Sequence, residues 1–250
     1  MKGNLGTLSY FMDIQQQKAK QMSYGLFLSV AEEIKLPFLQ IARLAEASQS
    51  LATDPAYKDI ESTAQSALRL VDNYILGLRL NLMPQAISLE NVSVSSVLYN
   101  TQQQLDSFAK TYDVSLDLVV AGKFGPVVAN EQALQAALVS LGAALIEALP
   151  SINTGQLKLQ LATHRSRYGI VAGIYADTRQ ISQTTLKAGH KLASISRQPL
   201  VDLSHTSGAG VFVASSILEA MDLKLGFSRH NNWYGLATIL QPSRQLQLVP

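Results

Sequence analysis

Helix-forming sequence fills the first third of the chain. Between residues 10 and 50 there is almost no helix breaker except Gly25 and Pro37, and from Phe27 to Leu44 apolar residues recur at alternating spacings of three and four. Such spacing is typical of a helix whose face packs in a bundle or a coiled coil. The predicted seam consists of Phe27, Val30, Ile34, Pro37, Ile41 and Leu44.

A second helix follows after a short loop. Asp54 suits an N-cap, Pro55 suits the first helical position, and the apolar repeat continues to about Leu82. Two such helices form an antiparallel hairpin, and both carry further apolar residues outside their seams. Burial of that surface favours pairing two hairpins in a four-helix bundle, so we expect a homodimer. Packing of the hairpin on its own C-terminal domain is the alternative.

The chain changes character at Met83-Pro84, where we divide it into a hairpin domain (1–83) and a second domain (84–250). In the second domain, alternating and short apolar segments predict strands, and 3.6-residue periodicity predicts helices. The predicted strands cover 87–92, 114–120, 127–129, 156–162, 168–175, 223–228 and 235–240, and the predicted helices cover 95–111, 130–150 and 208–221. The fold class is therefore α+β, with a mixed sheet and helices on one face.

Composition narrows the function classes. Apolar types make up 47% of the 250 residues and charged types 15%, with 20 Lys+Arg against 18 Asp+Glu. This near balance argues against a general nucleic-acid binder. The absence of Cys excludes disulfides, thiolate metal sites and thiol nucleophiles. No run of about 18 apolar residues predicts a membrane span, and the N-terminus has no signal-peptide pattern. We therefore expect a cytoplasmic protein.

One stretch of the first helix carries a family motif. Residues 27–38 are Phe-Leu-Ser-Val-Ala-Glu-Glu-Ile-Lys-Leu-Pro-Phe, which resembles the H-box of sensor histidine kinases, roughly F-x-x-x-x-S-H-E-L-R-T-P-L. Glu33, Ile34, Lys35 and Pro37 match that pattern, and Glu32 stands where the phosphoacceptor histidine belongs. Further weak matches follow in the same order. Residues 60–80 are similar to the second hairpin helix, 130–150 to the N-box helix, and 207–219 to the last glycine box.

Over residues 10–242 the resemblance implies a dimeric hairpin followed by a GHKL-type ATPase domain, an α/β sandwich. The departures fall on the reactive positions. Glu32 is a poor nucleophile that repels a γ-phosphate, and the hairpin contains no His. The magnesium-binding Asn of the N-box aligns with Ala144, which has no ligand oxygen, and a basic position one turn later is Glu147.

The glycine boxes are also incomplete. Asp177 matches the family's adenine-binding Asp, but both following glycines are missing. Gly208 and Gly210 remain in the last glycine box, and either a vestigial phosphate loop or close helix packing accounts for them. We expect the isolated histidines to be surface or turn residues, and we expect no metal site.

The resemblance and its departures together predict a catalytically inactive histidine-kinase-like protein, a pseudokinase of two-component signalling. It would bind a response-regulator receiver domain or a partner kinase through one surface. No cofactor is expected, and binding of ATP or ADP with magnesium is disfavoured. The surface consists of Glu32, Glu33, Lys35, Pro37 and Phe38. Two alternatives remain: a histidine-phosphotransferase-like phosphorelay protein with an unconventional acceptor, and a nucleotide sensor that does not hydrolyse.

Overall fold

The computed structural model describes residues 4–49, 55–83, 87–148, 157–177 and 207–243. The helices in this part are α1 (Asn4–Gln49), α2 (Pro55–Leu82), α3 (Val94–Thr111), α4 (Glu131–Ala148) and α5 (Ser207–Ala220). The strands are β1 (Glu90–Val92), β2 (Val114–Val120), β3 (Val127–Ala129), β4 (Leu157–Ser166), β5 (Gly169–Asp177), β6 (Leu225–His230) and β7 (Trp233–Leu240). The polar, irregular segment expected at 178–206 lies outside the described residues.

Helix α1 has two apolar seams that lie side by side along its surface. One seam repeats every seven residues through Ala31, Phe38 and Ala45, which are buried or half-buried against α2. The other is the seam predicted from the sequence. Its Phe27, Val30, Ile34, Ile41 and Leu44 are 42 to 68% exposed in the single chain. The hairpin therefore leaves a complete apolar seam of α1 uncovered.

The main sheet has five strands in the order β2-β4-β5-β7-β6. Strands β2 and β4 are parallel, and the remaining neighbours are antiparallel. Strands β1 and β3 form a separate antiparallel pair. The predicted mixed sheet is confirmed, and so is the predicted placement of helices on one of its faces.

The larger of two apolar clusters in the described residues lies between the main sheet and helices α3, α4 and α5. Alternate residues of each strand point into it, as a half-covered sheet requires. Its largest fully buried aliphatic side chains are Leu98, Leu105, Leu134, Leu141, Ile146, Leu159, Leu161, Ile170, Ile174 and Ile217. Leu70, Tyr74, Leu76 and Leu80 of α2 pack against the same core. The hairpin is thus in direct contact with the sheet domain.

Several predicted strand ends shift in the structure. The predicted strand at 87–92 is only three residues long, and the β4–β5 turn lies at Arg167-Tyr168 because β4 continues through His164 and Arg165. The polar residues His164 and Arg165 do not end β4, because His164 lies on the sheet face away from the helices and Arg165 is exposed to solvent. The β6–β7 turn is at Asn231-Asn232 as predicted, and Asn231 adopts the positive φ of 54° that tight hairpin turns demand.

Candidate functional site

The H-box-like surface of α1 is held by two ion pairs to α2. Arg79 Nη2 donates to Glu32 Oε1 at 2.7 Å, and Lys35 Nζ lies 2.7 Å from Asp72 Oδ1. Glu32 and Lys35 are one turn apart on α1, so both face the flank of the hairpin. Glu32, which the sequence resemblance aligns with the phosphoacceptor, is therefore a carboxylate paired with a guanidinium of the same chain.

The other predicted surface residues divide between solvent and the hairpin interior. Glu33 and Pro37 are exposed, whereas Phe38 is half-buried in the seam that faces α2. Pro37 lies inside α1 and has no N–H to donate to the carbonyl of the preceding turn. A partner that approaches this surface from solvent thus meets Glu33 and Pro37 first, with Glu32 and Lys35 beside them.

Ala144, which the sequence resemblance aligns with the N-box asparagine, lies in a close contact between helices. Ala144 of α4 is buried, and a β-carbon built on Gly210 of α5 would be 2.9 Å from Ala144 Cβ and 2.5 Å from the Ser140 carbonyl oxygen. Only glycine permits this approach of α5 to α4. The space beside Ala144 is thus taken up by the backbone of α5, and neither residue offers an oxygen ligand on its side chain.

Glu147 follows Ala144 by nearly one turn and lies beside α3. Burial raises the pKa of the Glu147 carboxyl. Burial also raises the pKa of the Tyr112 hydroxyl at the end of α3, and the nearby charge of Glu147 adds to that effect. A half-buried carboxylate therefore lies near the hydroxyl of Tyr112, where the resemblance predicts a basic residue.

The glycine-box residues do not form one cluster. Gly208 lies in the first turn of α5, next to Gly210. Asp177 is the last residue of β5 and pairs with Trp233 of β7. Because side chains alternate between the two faces of a strand, Asp177 lies on the same face of the sheet as Tyr175. That face is opposite to the face covered by α4 and α5. The structure brings Ala144 and Gly210 together, and it sets Asp177 on the other side of the sheet.

A histidine pair on the second face of the sheet was not anticipated from the sequence. The rings of His164 and His230 stack with centroids 4.6 Å apart, and both lie within 6.4 Å of the ring of Tyr175. His230 and Tyr175 are buried and His164 lies within β4, so the expectation of surface or turn positions is wrong for these two histidines. His190 and His205 lie outside the described residues. Burial, together with His230, lowers the pKa of His164. His164, Ala162 and Gln160 are alternate residues of β4 and therefore lie on the same face of the sheet. This alternation is the one feature of the sequence that could have placed His164 on the second face.

Two chemical features are absent from the described ranges. Within residues 4–49, 55–83, 87–148, 157–177 and 207–243, no group of three or more His, Asp or Glu side chains is placed to hold a metal ion. Among the helices of the same ranges, none combines the length and the apolarity required to cross a bilayer.

Comparison with solved structures assigns the fold. Full-length ShkA in complex with AMPPNP superposes with a TM-score of 0.56 at 13% identity, over 86% of this chain and 45% of that chain. The Acinetobacter baumannii histidine kinase AdeS gives 0.49 at 13% identity, over 87% and 98% of the two chains. The catalytic domain of the histidine kinase ThkA gives 0.48 at 12% identity, over 62% and 97%.

The ShkA superposition, which exceeds 0.5, carries the assignment. The chain has the fold of a histidine-kinase catalytic core, with a helical hairpin followed by a GHKL-type sheet domain. It spans less than half of the ShkA chain. No protein-family profile matches the sequence, and no curated protein sequence matches it.

Proposed function

We propose that this chain is a catalytically inactive, histidine-kinase-like signalling protein that acts by binding another protein. The observation that carries the proposal is the content of the two reactive positions. Glu32 is ion-paired with Arg79 at the phosphoacceptor position, and Ala144 contacts the backbone of α5 at the magnesium position. The fold supports a kinase-family signalling role. The residues at these two positions lack the nucleophile and the magnesium ligand that phosphoryl transfer needs.

Phosphoryl transfer needs a nucleophile and a cation at the transferring group. The carboxylate of Glu32 is a weak nucleophile, and its negative charge repels the γ-phosphate. Ala144 supplies no ligand for magnesium, and Glu147 supplies no positive charge for the phosphates. The residues present do not fit magnesium and ATP, so no catalytic step is assigned to them.

The chain acts as a homodimer through the uncovered seam of α1. Burying that seam against a second copy removes apolar surface from water at about 25 cal/mol per Å². Sedimentation equilibrium tests this directly: Ile34→Asp is expected to convert a dimer into a monomer. Tyr168→Asp, which changes an exposed residue of the β4–β5 turn, is expected to leave the dimer intact. A wild-type monomer at micromolar concentration contradicts the proposal.

The partner bound by the dimer is a response-regulator receiver domain, and the docking surface is the exposed part of the H-box-like stretch. Glu33 lies outside the dimer seam and is open to solvent there, and two ion pairs order the flanking side chains of Glu32 and Lys35. The test titrates receiver domains encoded in the same genome against the labelled full chain and follows fluorescence anisotropy. We expect saturable binding by at least one receiver.

Matched variants separate this surface from general charge effects. Glu33→Arg is expected to weaken receiver binding at least tenfold, because it reverses the charge at the centre of the surface. Glu131→Arg makes the same change at an exposed position on the first turn of α4 and is expected to leave affinity within twofold. Equal effects of both variants, or no binding by any receiver, contradict the proposed function.

A further inference from the structure

Helix α2 is shared between the hairpin and the sheet domain. The face of α2 that meets the sheet domain is spaced three, four and three residues apart, at Leu70, Asn73, Gly77 and Leu80. Leu70 and Leu80 pack on the core of the sheet domain. This spacing produces a continuous stripe along one side of a helix. Helix α2 therefore presents a second contact face that is distinct from the face toward α1.

A hydrogen bond and a close approach fasten this stripe. Asn73 Nδ2 donates to Ser140 Oγ at 3.1 Å, and Ser140 is fully buried in α4. A β-carbon built on Gly77 would lie 3.1 Å from Ile217 Cγ1 and 3.9 Å from the Val213 carbonyl oxygen of α5. The absence of a side chain at Gly77 allows α2 to lie directly against α5. Helices α2, α4 and α5 thus meet around one buried hydroxyl.

The same stretch of α2 also holds the H-box-like surface. Asp72, which precedes Asn73, pairs with Lys35, and Arg79, two residues after Gly77, pairs with Glu32. Contacts to α1 and contacts to the sheet domain therefore alternate within eight residues. A displacement of the sheet domain from α2 has to break the Asn73–Ser140 hydrogen bond and expose Ile217 and the apolar residues of the stripe.

We infer that the sheet domain is locked onto α2 of its own chain, so that the hairpin and the sheet domain move as one rigid body. Ser140 is a positioning residue in this lock. Its hydroxyl accepts the hydrogen bond from Asn73 of α2, and its backbone carbonyl lies close to Gly210 of α5. This inference is independent of the identity of the partner and of receiver binding.

Distance measurement by pulsed electron paramagnetic resonance tests the lock. The chain contains no Cys, so spin labels attach only to introduced residues. Gln65→Cys on α2 and Lys224→Cys before β6 are both exposed positions. The doubly labelled full chain is diluted with unlabelled chain to suppress signals between copies. We expect a single narrow distance distribution, and a broad or two-peaked wild-type distribution overturns the inference.

Two glycine variants provide a matched pair. Gly77→Leu inserts a side chain between α2 and α5 and is expected to broaden or shift the distribution. Gly25→Leu makes the same change in α1, where no atom lies within 4 Å of the added β-carbon, and is expected to leave the distribution unchanged. Should Gly77→Leu lose its helical circular dichroism, Asn73→Ala replaces it, with broadening again expected. A distribution unchanged in every folded variant at Gly77 and Asn73 overturns the inference.

Discussion

Arg79 Nη2 and Glu32 Oε1 lie 2.7 Å apart across the hairpin. Glu32, which the sequence resemblance aligns with the phosphoacceptor of histidine kinases, is thus one partner of an ion pair. Both side chains are about half exposed. Arg79 offsets the charge of Glu32 in place, and the pair ties the H-box-like surface to α2. The ion pair therefore helps to order this surface of α1.

The first prediction concerns the energy of this pair. Exposed ion pairs contribute about 0 to 1 kcal/mol because water screens them and side-chain entropy is lost. A double-mutant cycle of Glu32→Gln and Arg79→Gln, measured by urea unfolding, is expected to give a coupling in that range that shrinks in high salt. A coupling above about 2 kcal/mol would mean that the pair is structurally essential.

The second prediction concerns the contact of α5 with α4. Gly210→Ala places a methyl group 2.5 Å from the Ser140 carbonyl oxygen, and overpacking of this kind costs about 1–3 kcal/mol. We expect a lower free energy of unfolding by denaturant. Gly25→Ala is the control: it has no neighbouring atom within 4 Å and is expected to stabilise by about 0.5–1 kcal/mol. A stabilising Gly210→Ala would refute the close packing.

The third prediction concerns acid stability. Burial and His230 lower the pKa of His164 below the ordinary imidazole value of about 6.5. The unfolded chain therefore binds a proton more readily than the folded chain. Stability from this site is present above pH 6.5 and is lost as the pH falls through the folded pKa. Urea midpoints between pH 7.5 and 5 are expected to fall less in His164→Gln than in the wild type, and equal slopes would disprove the assignment.

The fourth prediction has the opposite sign. Burial raises the pKa of Glu147, so the folded chain holds its proton more tightly than the unfolded chain does. The stability from the protonated form is present below the ordinary carboxyl value of about 4.3 and is lost as the pH rises through the folded pKa. Glu147→Gln is expected to be more stable than the wild type at pH 7 and to lose that advantage near pH 4.

The exposed Glu46 of α1 provides the control for this experiment. Glu46→Gln is expected to change the urea midpoint little at either pH. If Glu147→Gln proves less stable than the wild type at pH 7, the carboxylate of Glu147 has a favourable partner and the assignment by burial fails.

The helical hairpin and the succession of strands along the chain are predictable from the sequence because both depend on local periodicity. Pro55 begins α2, and Val114–Val120 and Val127–Ala129 form strands over the predicted residues. The end of β4 is not predictable in this way. His164 and Arg165 are compatible with a turn, and only the pairing of β4 with β5 up to Ser166 keeps them in the strand.

The candidate site is only partly predictable for the same reason. Motif order identifies Glu32 and Ala144, but their partners Arg79 and Gly210 come from other helices and depend on packing. The stacking of His164 on His230 joins strands that are not neighbours in the sheet. No spacing in the sequence encodes that contact, since it depends on the order in which the strands assemble in the sheet.

We propose that this chain keeps the histidine-kinase fold without its phosphoryl transfer. To test this, the full chain is incubated with magnesium and γ-³²P-labelled ATP, alone and with a receiver domain that it binds. No label is expected on either protein above a heat-denatured control. Label on this chain that is stable in base, or label that appears on the receiver only when this chain is present, would contradict it.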